Sequence, residues 1–212
     1  EECMNAHWPT HKVWHKVQKQ RAEQRREGAG PEETRLLAAE LARRAEATGD
    51  EYDKRFAAAL VLNAEGDHNA AVKAWRKIIK EWPHRPEPYW NLASVLDQSD
   101  RDVEAAPMYL KAMELLEDGT ERWAKSAALA FDLLKTEDCG DLPKPEWWNE
   151  EALKALSARV VALAPDAPSP CTMRAYVLAG DALWETPWNV GPRTSAEIKE
   201  AATLFRRAAR TC

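Results

Sequence analysis

One stretch of this chain copies itself, and that constrains the fold more than any other feature. FAAALVLNAEGDHNAAVKAWRKI, starting at Phe56, lies over WNLASVLDQSDRDVEAAPMYLKA, starting at Trp90, with an offset of 34 residues. Phe56 falls on Trp90, Ala59 on Ala93, Leu62 on Leu96, Ala71 on Ala105, Trp75 on Tyr109 and Ile78 on Ala112. In the middle of each copy stands a turn signal, Gly66-Asp67 in the first and Ser99-Asp100 in the second. Each copy therefore reads as helix, turn, helix. A helix pair of this length cannot bury its apolar face alone, so neighbouring copies are expected to stack on a shared core.

Composition agrees with a folded helical chain and narrows its uses. Across 212 residues, 45% are hydrophobic and 31% charged, a globular rather than disordered balance. Ala, Leu, Glu, Lys and Arg are abundant and favour helix. No apolar run approaches the roughly 20 residues of a membrane span. A net charge of −5 and a pI near 5.7 argue against nucleic acid as the main partner. Cys3, Cys139, Cys171 and Cys212 are too scattered for a disulfide framework, and a reducing intracellular compartment, cytoplasm or nucleus, is expected. Residue 1 is Glu, and the chain reads as a piece of a longer one.

The period and its marker residues resemble the tetratricopeptide repeat. Ala59 and Ala71 stand where that family has small residues at the helix crossing, Trp75 where a large residue fills the gap, and Pro83 where a proline closes the unit. Ala93, Ala105, Tyr109 and Ala112 do the same in the second copy, with Glu117 in the usual place of proline. The physical reason is that helices approach to about 8–10 Å only when small side chains meet at the crossing. The resemblance implies an all-α, right-handed α-solenoid of stacked antiparallel helix pairs, preceded by a solvated amino-terminal helix. Gly66 is expected to take positive φ, and a cap at Ser99-Asp100 to replace it in the second repeat. Pro107 is expected to kink its helix or delay the start.

Regular repeats are placed at 52–85 and 86–119, and two further units at 120–167 and 168–212 carry inserted loops. In the third unit Trp123 and Ala127 are in phase, the helix runs to Thr136, and an insertion follows from Cys139 to Trp148. Its partner helix spans Glu150 to Ala164, closed by Pro165. The fourth opens near Pro170, has a second insertion from Trp184 to Arg193, and ends in a helix capped by Ser195 with Ala201, Phe205 and Ala208 in repeat spacing. Ahead of the array, 28–51 holds the breaker Gly28-Ala-Gly-Pro31 and an introductory helix with Leu36, Leu37, Leu41 and Ala45 as its apolar stripe.

The first 27 residues carry a second resemblance. Cys3, seven residues, His11, three residues and His15, with Trp8-Pro9 before His11, resemble the tail of a MYND-type zinc finger. His15 stands where that family usually has Cys, and either can bind zinc. The resemblance implies that Cys3, His11 and His15 bind zinc only if a longer natural chain supplies the upstream cysteines; no cofactor is expected in this chain itself. The alternative is that His11 and His15 merely lie one turn apart on an exposed helix. Lys16 to Glu27 reads as a solvated helix.

No phosphate loop, His-Glu-x-x-His helix, nucleophile elbow or paired-cysteine motif is present, and the expectation is a non-enzyme. Cys139 is expected to be an inert loop thiol, and His68 and His84 to be solvated. The resemblance implies a concave face lined by the first helix of each pair. Asp53, Phe56, Ala57, Leu60 and Asn63 would line it in the first repeat, and Glu87, Trp90, Asn91, Ser94 and Asp97 in the second. Glu121, Lys125, Ala128, Phe131 and Asp132 would follow from the third. An aromatic floor with acidic edges suits a protein segment bearing apolar anchors and basic residues. Of the family's carboxylate-gripping cluster only Asn91 and Lys125 match, so that specialisation is not expected. Phe56 and Trp90 either line this groove or pack between repeats as core. Trp147, Trp148, Trp184 and Trp188 either anchor a partner or fold the inserted loops back on the array. The two functional readings are an adaptor that holds a segment in the groove and a permanent subunit of a large assembly wedged through the Trp-rich loops and the amino-terminal helix.

Overall fold

The computed structural model describes residues 31–180 and 191–210. Among these the fold is all-α, with nine helices and no strand: α1 (Pro31–Thr48), α2 (Glu51–Ala64), α3 (His68–Glu81), α4 (Pro86–Gln98), α5 (Asp102–Leu115), α6 (Glu121–Leu134), α7 (Glu150–Leu163), α8 (Pro168–Ala179) and α9 (Ser195–Ala208). Two compact units divide them between Leu116 and Glu117. Within each, consecutive helices pack on one another, the arrangement of an α-solenoid.

The first unit, α1 to α5, rests on alanine. Ala59, Ala71, Ala93 and Ala105 have no accessible surface, and Trp75, Tyr109, Ile78 and Ala112 are buried beside them. Large side chains thus fill the space that the small ones leave, at matched positions in both hairpins. The backbone repeats as well. The Asp67 N–H donates to the Leu62 carbonyl at 3.1 Å, and 34 residues later the Arg101 N–H donates to the Leu96 carbonyl at 2.9 Å. Between them Gly66 has φ 79° and Asp100 φ 54°. Asp100 therefore completes the C-terminal cap of α4 in the left-handed conformation of the glycine it replaces, while Ser99 Oγ turns back to donate to the Val95 carbonyl at 2.7 Å. The helix that follows has no side-chain cap. It starts at Asp102, so Pro107 sits inside α5 and does not delay its beginning.

The introductory helix α1 packs on α2 through a different stripe from the one its leucines suggest. Ala38 and Ala45 are buried, whereas Leu36 and Leu37 are 64% and 52% exposed. Ala38, Leu41, Ala42 and Ala45 share one side at about 100° per residue, and Leu36 and Leu37 fall off it. Close approach to α2 selects the small residues. The seam ends in an ion pair: Arg44 Nε and Nη2 donate to Asp53 Oδ2 at 2.8 and 2.6 Å. Asp53 is nearly buried and turns to Arg44 of α1.

In the second unit, α6 packs on both α7 and α8, and α8 on α9. The turn between α7 and α8 repeats the one between α3 and α4. Trp82 and Ala164 close their helices with φ of −125° and −134°, donating to the Ile78 and Val160 carbonyls. Arg85 N–H to Trp82 O and Ala167 N–H to Ala164 O are each 3.2 Å. Pro86 and Pro168 then open the next helices at the position where a missing N–H costs nothing. The fourth unit's first helix accordingly starts at Pro168, two residues before the expected Pro170. The third pair is irregular: Leu153 and Ser157 are fully buried on α7, and α6 ends at Leu134. Thr194, not Ser195, caps α9, because its hydroxyl accepts from Glu197 N–H while Glu197 reaches back to Thr194 N–H, a reciprocal box that needs a three-residue spacing.

Two measurements check this account. Asp100→Gly is expected to stabilise the chain by about 0.5–1 kcal/mol in urea denaturation, since the left-handed conformation is costly for any side chain. Ala71→Leu is expected to destabilise it by about 1–3 kcal/mol, because the crossing has no room for the added carbons.

Candidate functional site

In the first unit Phe56 and Trp90 are part-buried on the first helix of each pair, each backed by the aromatic filler of its own hairpin. Phe56 meets Trp75 edge-on with centroids 4.9 Å apart, and Trp90 meets Tyr109 edge-on at 5.5 Å. This geometry places the positive edge of one ring on the negative face of the other and holds both rigid. Both rings are therefore partly core and partly surface. Asn63 and Asn91 are part-buried too, and Asn91 Nδ2 donates to the Glu87 carbonyl one turn earlier at 2.9 Å. Leu60 and Asp97 are nearly buried, so they support the surface more than they form it.

An aromatic and cationic stack closes the open end of the first hairpin. Tyr52 meets Trp82 edge-on at 5.4 Å and Phe56 at 5.6 Å. Arg85 lies 4.9 Å over the Tyr52 ring and Arg55 lies 5.5 Å from Trp82. Arg55 also pairs with Glu51 and Glu81, and the hydrogen bond to Glu51 is the first cause raising its pKa. His84 is exposed and His68 part-buried.

In the second unit Lys125 is part-buried and pairs with Glu121 one turn before it. Phe131 is fully buried with Trp148 tilted on it at 5.5 Å, and Trp147 stacks on Trp148 at 5.7 Å. Phe131 is thus core beneath the inserted loop, and Trp148 is folded back on α6 with Trp147 against it, both part-buried. Lys144 fixes this loop. Its Nζ donates to the Leu134 carbonyl at 2.9 Å and the Cys139 carbonyl at 2.6 Å, and lies 5.3 Å from the Trp148 ring. A cation here satisfies the last carbonyl of α6 and one in the loop after it. Burial strips water from the ammonium and lowers its pKa. Cys139 is fully buried, as an inert thiol would be. Cys171 is buried as well; its Sγ donates to the Pro165 carbonyl at 3.3 Å, and burial raises its pKa.

A chain of ions joins α7, α9 and the end of the second long connection. Glu150 Oε2 accepts the Gly191 N–H at 2.9 Å, and Oε1 accepts from Arg193 Nη1 at 2.6 Å and Lys154 Nζ at 3.0 Å. The Gly191 amide is the first cause holding the Glu150 carboxyl below its ordinary range. Lys154 also reaches Glu197 at 2.8 Å, and that bond, with the Thr194 amide, pulls the Glu197 pKa down to about 2. Arg174 donates from Nη1 to the Lys154 carbonyl at 2.9 Å and from Nε to Glu200 at 3.2 Å. Sequence reasoning assigned no role to Lys144, Glu150 or Arg193. The loop residues carry no periodicity, and nothing in their order reveals which charges meet.

Trp184 and Trp188, and Cys3, His11 and His15, lie outside the described residues. Among the described residues no group of three or more His, Cys, Asp or Glu could hold a metal, and no helix is long and apolar enough to cross a membrane. The described fold is that of a helical-repeat protein. No family model matches the chain, and no curated protein matches it significantly.

The Glu197 carboxylate sets a pH dependence. Its folded pKa lies below the unfolded value of about 4.3, so its contribution is complete above that pH and is lost as pH falls toward 2. Glu197→Gln is expected to cost about 1 kcal/mol at pH 7, and urea curves of the two proteins should converge near pH 2.

Proposed function

We propose that this chain is a tetratricopeptide-type scaffold with no catalytic role, which holds a segment of a partner protein along the first helices of its regular pairs. The observation that carries this reading is the pair Phe56 and Trp90. They stand at the same register 34 residues apart, each part-exposed and each held edge-on by a buried neighbour. Aromatic rings fixed in advance make effective anchors, because little side-chain freedom is lost when a partner lands on them. Support for the repeat reading comes from the matched turns at Gly66 and Asp100 and from the four buried alanines. Glu87 and Asn91 beside Trp90 suit a segment that alternates apolar anchors with Lys or Arg. The folding of Trp148 onto α6 favours this adaptor reading over a wedge held by the Trp-rich loops.

Affinity capture with crosslinking separates the two readings. Trp90→Ala is expected to weaken capture of a bound partner by tenfold or more, with helicity retained by circular dichroism, while Trp148→Ala leaves capture within about twofold. Loss on Trp148→Ala with Trp90→Ala unaffected would instead put the interface on the inserted loop.

A further inference from the structure

We propose that the first long connection of the second unit and the stretch 191–194 form one coupled element jointed at Glu150, so that loosening either loosens the other. The connection 135–149 and the stretch 191–194 are separated in sequence by two helices. The first is pinned near its middle by Lys144 on the end of α6 and finishes at Asn149, which caps α7 by accepting from Ala152 N–H. In the second, Gly191 and Arg193 both bond to Glu150, the residue after Asn149. Both therefore meet at the same turn of α7.

The joint is held by a buried cation. The Arg193 side chain is only 4% exposed, and its guanidinium fills the space where Gly180 lacks a side chain: a Cβ on Gly180 would lie 2.0 Å from Nε. Gly180 and the stretch 191–194 are thereby locked together. Nε and Nη2 of Arg193 are buried with no hydrogen-bond partner among the described residues, so the pairing of Nη1 with Glu150 neutralises a largely bare charge. Take that carboxylate away and a buried, unpaired cation remains, which must move out to water. Its departure frees the first turn of α7. That turn is tied to the first connection through Asn149 Nδ2, which donates to the Glu146 carbonyl, and through Trp148 on Phe131. The coupling runs both ways, as any linkage between two sites must. It does not depend on the function proposed above.

Amide hydrogen exchange on the full chain tests the joint. Glu150→Ala is expected to speed exchange about tenfold both at Gly191–Thr194 and across 137–149, with α8 amides unchanged. Lys144→Met should loosen 137–149 and, through the joint, speed exchange of the Gly191 amide; Lys144→Arg, which keeps the cation, should restore both. Glu150→Gln keeps an acceptor for Gly191 but not the charge for Arg193, and should show the same two-site pattern at smaller amplitude. The proposal is overturned if the Glu150 variants affect 191–194 alone, or if Lys144→Met leaves Gly191 unchanged.

Discussion

Helices can lie together only as closely as the side chains between them permit, and in the first unit four alanines set that distance. Ala59 and Ala71 in the first hairpin, and Ala93 and Ala105 in the second, are all without accessible surface. The close crossing then dictates what stands beside it. A large ring must fill the flanking space, as Trp75 and Tyr109 do, and a second ring on the facing helix can rest edge-on against it. The candidate surface is thus a by-product of packing: Phe56 and Trp90 are presented rigidly because the rings behind them are buried.

The second unit meets a different problem. Its helix pairs are joined by long connections with no helical spacing to bind them, and a long connection must find partners for its own polar backbone. The structure answers with cations. Lys144 satisfies the last carbonyl of α6, and Arg193 is buried over Gly180 with Glu150 as its counter-charge. A charge placed where water is scarce interacts strongly with whatever it meets, which makes such pins firm but leaves them dependent on single partners.

The repeat was legible in the sequence down to individual turns, and its departures are local. The cap expected at Ser99-Asp100 forms with the backbone of the glycine that Asp100 replaces, because the hairpin geometry is imposed by the crossing on either side. Leu36 and Leu37 looked like the buried stripe of α1, yet contact with α2 selected Ala38 and Ala45. Hydrophobicity names the residues able to be buried; the closeness of the neighbour picks among them. Phe131 shows the same limit at the candidate surface. Its helical position matched a groove residue, but the inserted loop laid Trp148 over it.

What the sequence determined alone was the local and periodic part: helix–turn–helix units, alanine crossings, proline-opened helices and the register that equates Phe56 with Trp90. These follow from spacing, since side chains three or four residues apart share a helical face whatever lies elsewhere. Only the tertiary structure decided which charges meet across the irregular connections, that Asp53 turns to Arg44, and that Glu150, Lys144 and Arg193 hold the loops. Such contacts join residues far apart in the chain. Their partners are set by where packing brings the backbone, and no local pattern encodes that.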